Sequence, residues 1–185
     1  MTEVLIWTPG VVLPPIALTP AINAAITDAL TPVQTVALTA WAEARSRFEP
    51  GRGWVPNPIE ALADVVNVID NRVQDRRWKA MGHKGACLAW RQFSCWDARG
   101  GPDNYWALLE RAQRLLAGEL PSNKLLGCLA LAEGCLAGSM VDTLNTATHY
   151  YSPASMVPPG RVPAWVKGAM LTAERFGHRF YAKVT

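Results

Sequence analysis

Across residues 31–48 the apolar side chains return every three or four positions, a spacing that commits the segment to a helix packed along one face. Val33, Val36, Ala37, Ala40, Trp41 and Ala44 form that stripe. Thr31 is placed to cap the start, and Pro32 suits the first helical position, where a missing N–H costs nothing. At about 100° per residue, Glu43 falls beside Val36 on the edge of the stripe. A carboxyl held there is partly desolvated, which favours its neutral form, the state a general acid needs near neutral pH. An ordinary solvated glutamate at a helix edge occupies the same kind of position.

The other periodic segments extend a mainly α class. Residues 19–30 open on Thr19-Pro20 and read as a short helix. Residues 57–76 place Ile59, Leu62, Ala63, Val66, Ile69 and Val73 on one face behind a start capped by Asn57, Pro58 and Glu60. Asn67, Asn71 and Arg72 interrupt that helix, either as a solvated face or as side chains serving a site. Further helices are expected over 103–117, over 122–137 as a segment buried nearly all round, and over 163–176. On that last one Lys167, Arg175 and Arg179 share a side. Residues 49–57, rich in Gly and Pro, read as a loop. Residues 77–102 form a long irregular stretch crowded with Trp78, Trp90, Phe93 and Trp96, and long ordered loops tend to carry function. Residues 142–161 are loop-like, with room for a short hairpin around 140–152.

At 185 residues the chain has length for one domain with a real core. A net charge of +3 is too small to argue for nucleic acid. The apolar run at 4–18 is broken by Pro9, Gly10, Pro14 and Pro15, so it reads as an extended arm rather than a signal peptide or a membrane helix. The four cysteines lack CxxC spacing and the three histidines lack HExxH, so no metal motif appears. Reduced, buried thiols are the expected state, with a Cys87–Cys95 disulfide open if that segment is a loop.

Four short motifs occur in order: Ala42-Glu43-Ala44-Arg45, Val68-Ile69-Asp70-Asn71-Arg72-Val73, Gln92-Phe93-Ser94-Cys95 and Ala147-Thr148-His149-Tyr150-Tyr151. Together they resemble the SleB-like (spore-cortex-lytic) cell-wall hydrolases, which also serve bacteriophages as lysis proteins. The departures are the EPGRGWVPNP insertion after the first motif and Asp70, where the family usually has an apolar residue. The resemblance implies a lysozyme-like single catalytic domain over 31–185, with residues 1–30 as an arm and short helix. It implies cleavage between N-acetylmuramic acid and N-acetylglucosamine, by lytic transglycosylation or by hydrolysis, with no metal or cofactor. Glu43 is then the catalytic acid. Gln92, Ser94, Trp96, His149, Tyr150 and Tyr151 line the sugar, and Asn71 and Arg72 brace the site. A non-catalytic glycan-binding module is the rival reading. The expected setting is a monomer made in the host cytoplasm and acting on peptidoglycan in the periplasm or wall. Its basic last helix would meet the anionic wall or outer membrane.

Overall fold

The computed structural model describes residues 20–89, 92–97 and 102–184. The expected arm at 4–18 and Trp90 lie outside them. Helix α1 (Pro20–Ala29) leads into α2 (Pro32–Glu43), which is buried on every side from Thr35 to Ala40. Its start is a full capping box. The Gln34 N–H donates to Thr31 Oγ1 at 3.2 Å, and the Thr31 N–H donates to the Gln34 side chain at 2.9 Å. Thr35 and Thr39 can lie in apolar surroundings because each hydroxyl donates one turn back, to Thr31 O at 2.9 Å and Thr35 O at 2.7 Å. Four helices surround α2: α3 (Ile59–Gln74), α4 (Gly82–Leu88), α5 (Pro102–Leu116) and α6 (Asn123–Leu136). Lys84 of α4 closes the open end of α1, its Nζ donating to Asp28 O at 3.1 Å and Leu30 O at 2.7 Å.

The class is mainly α, with short antiparallel sheets, but several boundaries fall elsewhere than the spacing predicts. The helix expected over 31–48 stops at Glu43, and the segment expected to be a loop forms a hairpin of β1 (Ser46–Glu49) and β2 (Gly53–Pro56). The sequence Glu49-Pro50-Gly51-Arg52 makes a turn in which the Arg52 N–H donates to Glu49 O at 3.0 Å. Gly51 supplies the positive φ of 81° that follows a turn proline. Phe48 pairs with Trp54 across the strands, ring centroids 5.9 Å apart, and both rings are exposed. At the start of α3 the Asn57 side chain does not cap: Pro58 holds the cap position, and Asn57 Oδ1 accepts from Arg47. The irregular stretch after α3 holds the short α4 and a 3₁₀ turn at Ser94–Trp96. Helix α6 turns only the stripe Leu125, Cys128, Ala132 and Cys135 inward and leaves Leu126 exposed, so it is not buried all round.

The largest correction concerns residues 163–176. Instead of a helix they hold a 3₁₀ turn at Ala164–Val166 and strand β4 (Met170–Arg175), which pairs with β5 (His178–Ala182). Strand β3 (His149–Tyr151) takes the other edge, giving the antiparallel order β3-β5-β4. Met, Leu, Ala, Glu and Arg are good helix formers, so local propensity points the wrong way. The Phe176-Gly177 turn overrides it, with φ of 51° and 74°, both positive as a two-residue hairpin requires. The basic helix face therefore does not exist: Arg175 pairs with Asp64 and Arg179 with Glu174.

Helix α3 joins the two parts. Its apolar residues face the core, while Asp64, Asn67 and Asn71 form a polar row at helical spacing. Asn67 Nδ2 donates to Thr143 Oγ1 at 3.2 Å, and Asn71 Nδ2 to Ala147 O at 3.1 Å. Arg175 forks onto Asp64, with Nε to Oδ2 at 2.8 Å, and also reaches Thr143 Oγ1 at 2.7 Å. Asp64 is 2% exposed, so removing its partner leaves a buried charge uncompensated. Arg175→Ala is expected to cost about 3 kcal/mol of stability, read as a shift of the urea midpoint. An unfolding free energy within about 0.5 kcal/mol of the parent would show that the pair does not hold the sheet to α3.

Candidate active site

Glu43 is the last residue of α2, the end at which the backbone dipole disfavours a negative charge. Its side chain is half-buried and accepts hydrogen bonds from two separate segments. Oε1 accepts from the Cys95 backbone N–H at 2.8 Å and from Ser94 Oγ at 3.2 Å. Oε2 accepts from the Tyr150 hydroxyl at 2.9 Å. The helix end itself is tied down: Asn104 Nδ2 donates to Ala42 O at 3.4 Å, and Lys124 Nζ to Arg45 O at 2.9 Å. The carboxyl is thus aimed by three donors and mounted on the most deeply buried helix.

The Ser94–Trp96 turn is set by α2. The Trp96 indole N–H donates to Thr39 Oγ1 at 2.8 Å, one turn before Glu43 on the same helix. Tyr150 is set by the sheet: its ring lies 5.3 Å from His178, 5.7 Å from Phe180 and 6.4 Å from Phe93. Burial, followed by the neighbouring Glu43, pushes its phenol well above the usual tyrosine range, so it remains a donor. The Cys95 thiol is raised by burial and then by Glu43, so it remains protonated beside the carboxyl.

Arg72 holds the two segments together. It is 3% exposed, yet no carboxylate is bonded to it among the described contacts. Its Nε donates to Thr148 O at 2.7 Å, just ahead of β3, and Nη1 to Gln92 O at 3.3 Å, just ahead of the turn. The guanidinium plane lies 4.4 Å from the Phe93 ring and 5.5 Å from the Trp78 ring. Burial lowers its pKa to about 10, which still leaves it charged at neutral pH.

Of the residues expected at a site, Ser94 and Tyr150 reach Glu43 directly. Gln92 enters through its backbone carbonyl, and Trp96 through Thr39. Asn71 and Arg72 sit behind them. His149 and Tyr151 go elsewhere, because neighbours on a strand point to opposite faces. Tyr151 packs with Tyr181 and Trp165, and the His149 ring lies between Trp78 at 5.8 Å and Trp165 at 5.3 Å. His178, which was not among the residues expected to line the sugar, lies against Tyr150, and its Nδ1–H donates to Phe176 O at 3.1 Å. Its alternation with Phe180 on β5 was the available signal. A separate cavity of about 190 Å³, lined by Asn23, Thr27, Leu88, Trp96, Tyr105 and Leu109 among others, does not have Glu43 in its wall. All four cysteines are free and buried, Cys87 and Cys95 included.

The family model described as Cell Wall Hydrolase matches residues 57–182. The matched span starts directly after the β1–β2 hairpin, so it contains α3, the Ser94–Trp96 turn and Tyr150 but not Glu43. No curated protein and no solved structure matches the chain.

Two expectations follow. Arg72→Ala removes the donor from the buried Thr148 carbonyl and the half-buried Gln92 carbonyl and is expected to cost about 3 kcal/mol together with activity; an unchanged melting curve would contradict the bracing role. His149 is depressed to about 4 by burial and by Arg72 and Arg77, and His178 is lowered by burial. A histidine whose folded-state pKa lies below its unfolded value contributes stability above about pH 6.5 and loses it as pH falls. Stability should therefore drop between about pH 6.5 and the His149 value of about 4. His149→Asn should flatten that slope in denaturation curves measured across the range, and an identical slope would exclude His149 as its source.

Proposed function

The chain belongs to the SleB-like cell wall hydrolase family and is an enzyme that acts on peptidoglycan; from that premise we propose that it cuts the glycan strand between N-acetylmuramic acid and N-acetylglucosamine, with Glu43 as its acid and then its base. The observation that carries this reading is the convergence of Ser94, the Cys95 N–H and Tyr150 on one half-exposed carboxyl. The family match itself stops short of Glu43, so the assignment of that residue rests on this geometry and on the Ala42-Glu43-Ala44-Arg45 motif.

A glycosidic oxygen leaves only when protonated, so the acid must be held against it. Glu43 gives its proton to that oxygen as the bond from the muramic C1 breaks. In lytic transglycosylation the 6-hydroxyl of the same sugar then attacks C1, and its proton returns to Glu43. The product is a 1,6-anhydro end, no water is consumed, and one carboxyl serves both steps. Hydrolysis instead places a water at C1, commonly with a second carboxylate about 5–9.5 Å from the first. Asp70 faces His83, and Asp97 lies near enough to Tyr105 to influence its hydroxyl. The one-acid route is the one the family resemblance implies, and it needs no second carboxylate. The Tyr150 hydroxyl and the Cys95 N–H fix the orientation of the carboxyl, and the Ser94 hydroxyl can turn toward a sugar. Phage-type host lysis, by an enzyme made in the cytoplasm and acting in the periplasm or wall, is the setting consistent with this reading.

Glu43→Gln preserves shape and removes the transferable proton. It should cut glycan cleavage about a hundredfold or more with the melting temperature unchanged, and retention of a tenth of the activity would remove Glu43 from the mechanism. Tyr150→Phe deletes one donor to the carboxyl and should lower kcat by about tenfold. Mass spectrometry of the released fragments separates the two routes. Anhydro ends, lighter by one water, are expected, whereas reducing ends alone would make the enzyme a muramidase.

A further inference from the structure

The helical layer holds a second cluster of reactive side chains that cleavage does not use. Asp70 on α3, His83 on α4 and Cys135 on α6 converge so that Asp70, His83 and Cys135 donor atoms all lie within 4.8 Å of one another. Asp70 Oδ1 and His83 Nε2 are 3.1 Å apart. The Asp70 carboxylate thus meets an imidazole and a thiol from two other helices.

We propose that Asp70, His83 and Cys135 form a binding site for one divalent cation of the zinc type. One carboxylate oxygen, one imidazole nitrogen and one thiolate sulfur are a donor set that suits a borderline-soft ion and disfavours magnesium or calcium. Bonds of about 2.0–2.3 Å to a tetrahedral ion put neighbouring ligand atoms roughly 3.3–3.8 Å apart. The Asp70–His83 separation of 3.1 Å and the 4.8 Å limit on every pair lie either side of that range, so only small shifts separate the three atoms from it. Binding displaces the Cys135 proton to solvent, and the thiolate and carboxylate together then balance the ion's two charges. Cys135 is buried at the base, while the Asp70 and His83 side chains are 27% and 18% exposed. The ion reaches the site from that rim, and water takes the fourth position. The bond would pin the seven-residue α4 to α3 and α6, so its effect is on stability rather than on the Glu43 chemistry.

The test uses the reduced, metal-free full chain titrated with Co²⁺ and then Zn²⁺. One equivalent of Co²⁺ should give a near-ultraviolet sulfur-to-cobalt absorption with tetrahedral visible bands, which Zn²⁺ displaces while raising the melting temperature. Cys135→Ser should abolish the sulfur band, while Cys128→Ser, on the same helix outside the cluster, keeps it. His83→Gln at the rim leaves the core intact and should weaken Zn²⁺ binding by at least about tenfold. Absence of the sulfur band in the parent protein overturns the proposal, as does its persistence in Cys135→Ser. If Cys135→Ser does not fold, His83→Gln decides: unchanged Zn²⁺ affinity rejects the site, and leaves the three residues as an Asp–His pair with a neighbouring thiol.

Discussion

A cation buried without a bonded carboxylate is costly, and the Arg72 guanidinium is such a cation. It is tolerated because a planar fork can satisfy two backbone carbonyls at once while its faces rest on aromatic rings. Thr148 O and Gln92 O occupy the fork, and Phe93 and Trp78 lie against the plane. Those two carbonyls belong to segments far apart in sequence, and each segment ends in a donor to Glu43. A lysine could not serve, since a point ammonium offers neither the fork nor the flat faces. The favourable influence of the Tyr150 and Glu43 oxygens on Arg72 closes the loop of dependence. The cation organises the donors, and the groups they surround help to keep it charged.

Helix α3 makes that arrangement possible because it has two functional faces. Its apolar residues seal it against α2, Asn67 and Asn71 grip the segment that leads into β3, and Asp64 holds Arg175 of β4. Asp142 completes the grip from the other side, accepting the Leu144 N–H at 2.8 Å and the Thr146 N–H at 2.6 Å. Asn145 and Thr146 are thereby held at positive φ, a conformation such residues rarely adopt unaided. A loop so restrained behaves as part of the scaffold. The three-stranded sheet then supplies the wall against which Tyr150 leans, through His178 and Phe180.

The chain leaves Glu43 directly into the β1–β2 hairpin, which lies ahead of the span that the family model matches. It is anchored through Arg47, whose Nη1 donates to Pro56 O at 3.2 Å and to Asn57 Oδ1 at 3.3 Å. The Cβ of Arg47 also packs against Gly177, where an added methyl would meet it at 3.2 Å. The hairpin and the β4–β5 turn therefore touch, and α2 and β5 approach the Tyr150 region from both ends of the chain. Phe48 and Trp54 remain uncovered on the hairpin surface.

How much of this was legible in the sequence depended on whether the signal was local. The capping pair at Thr31, the apolar period of α2, and the stripes of α3 and α5 are encoded within one or two helical turns, and each produced the helix it predicts. Glu43, Ser94 and Tyr150 were marked by short motifs, and the family span confirms the kinship from Asn57 onward. The hairpin at 46–56 was missed because its Gly and Pro residues read as a loop, and strand β4 because helix-favouring residues fill 170–175, where the Phe176-Gly177 turn outweighed local propensity. The split of Tyr150 from His149 and Tyr151 required knowing that the segment is a strand. Sequence alone thus determined the helical class, the central helix and the residue types of the site. Only tertiary structure decided that Arg72 is buried, which loops it joins, and that Asp70, His83 and Cys135 meet. Those contacts span from 13 to 76 residues of chain, beyond the reach of any helical or strand period.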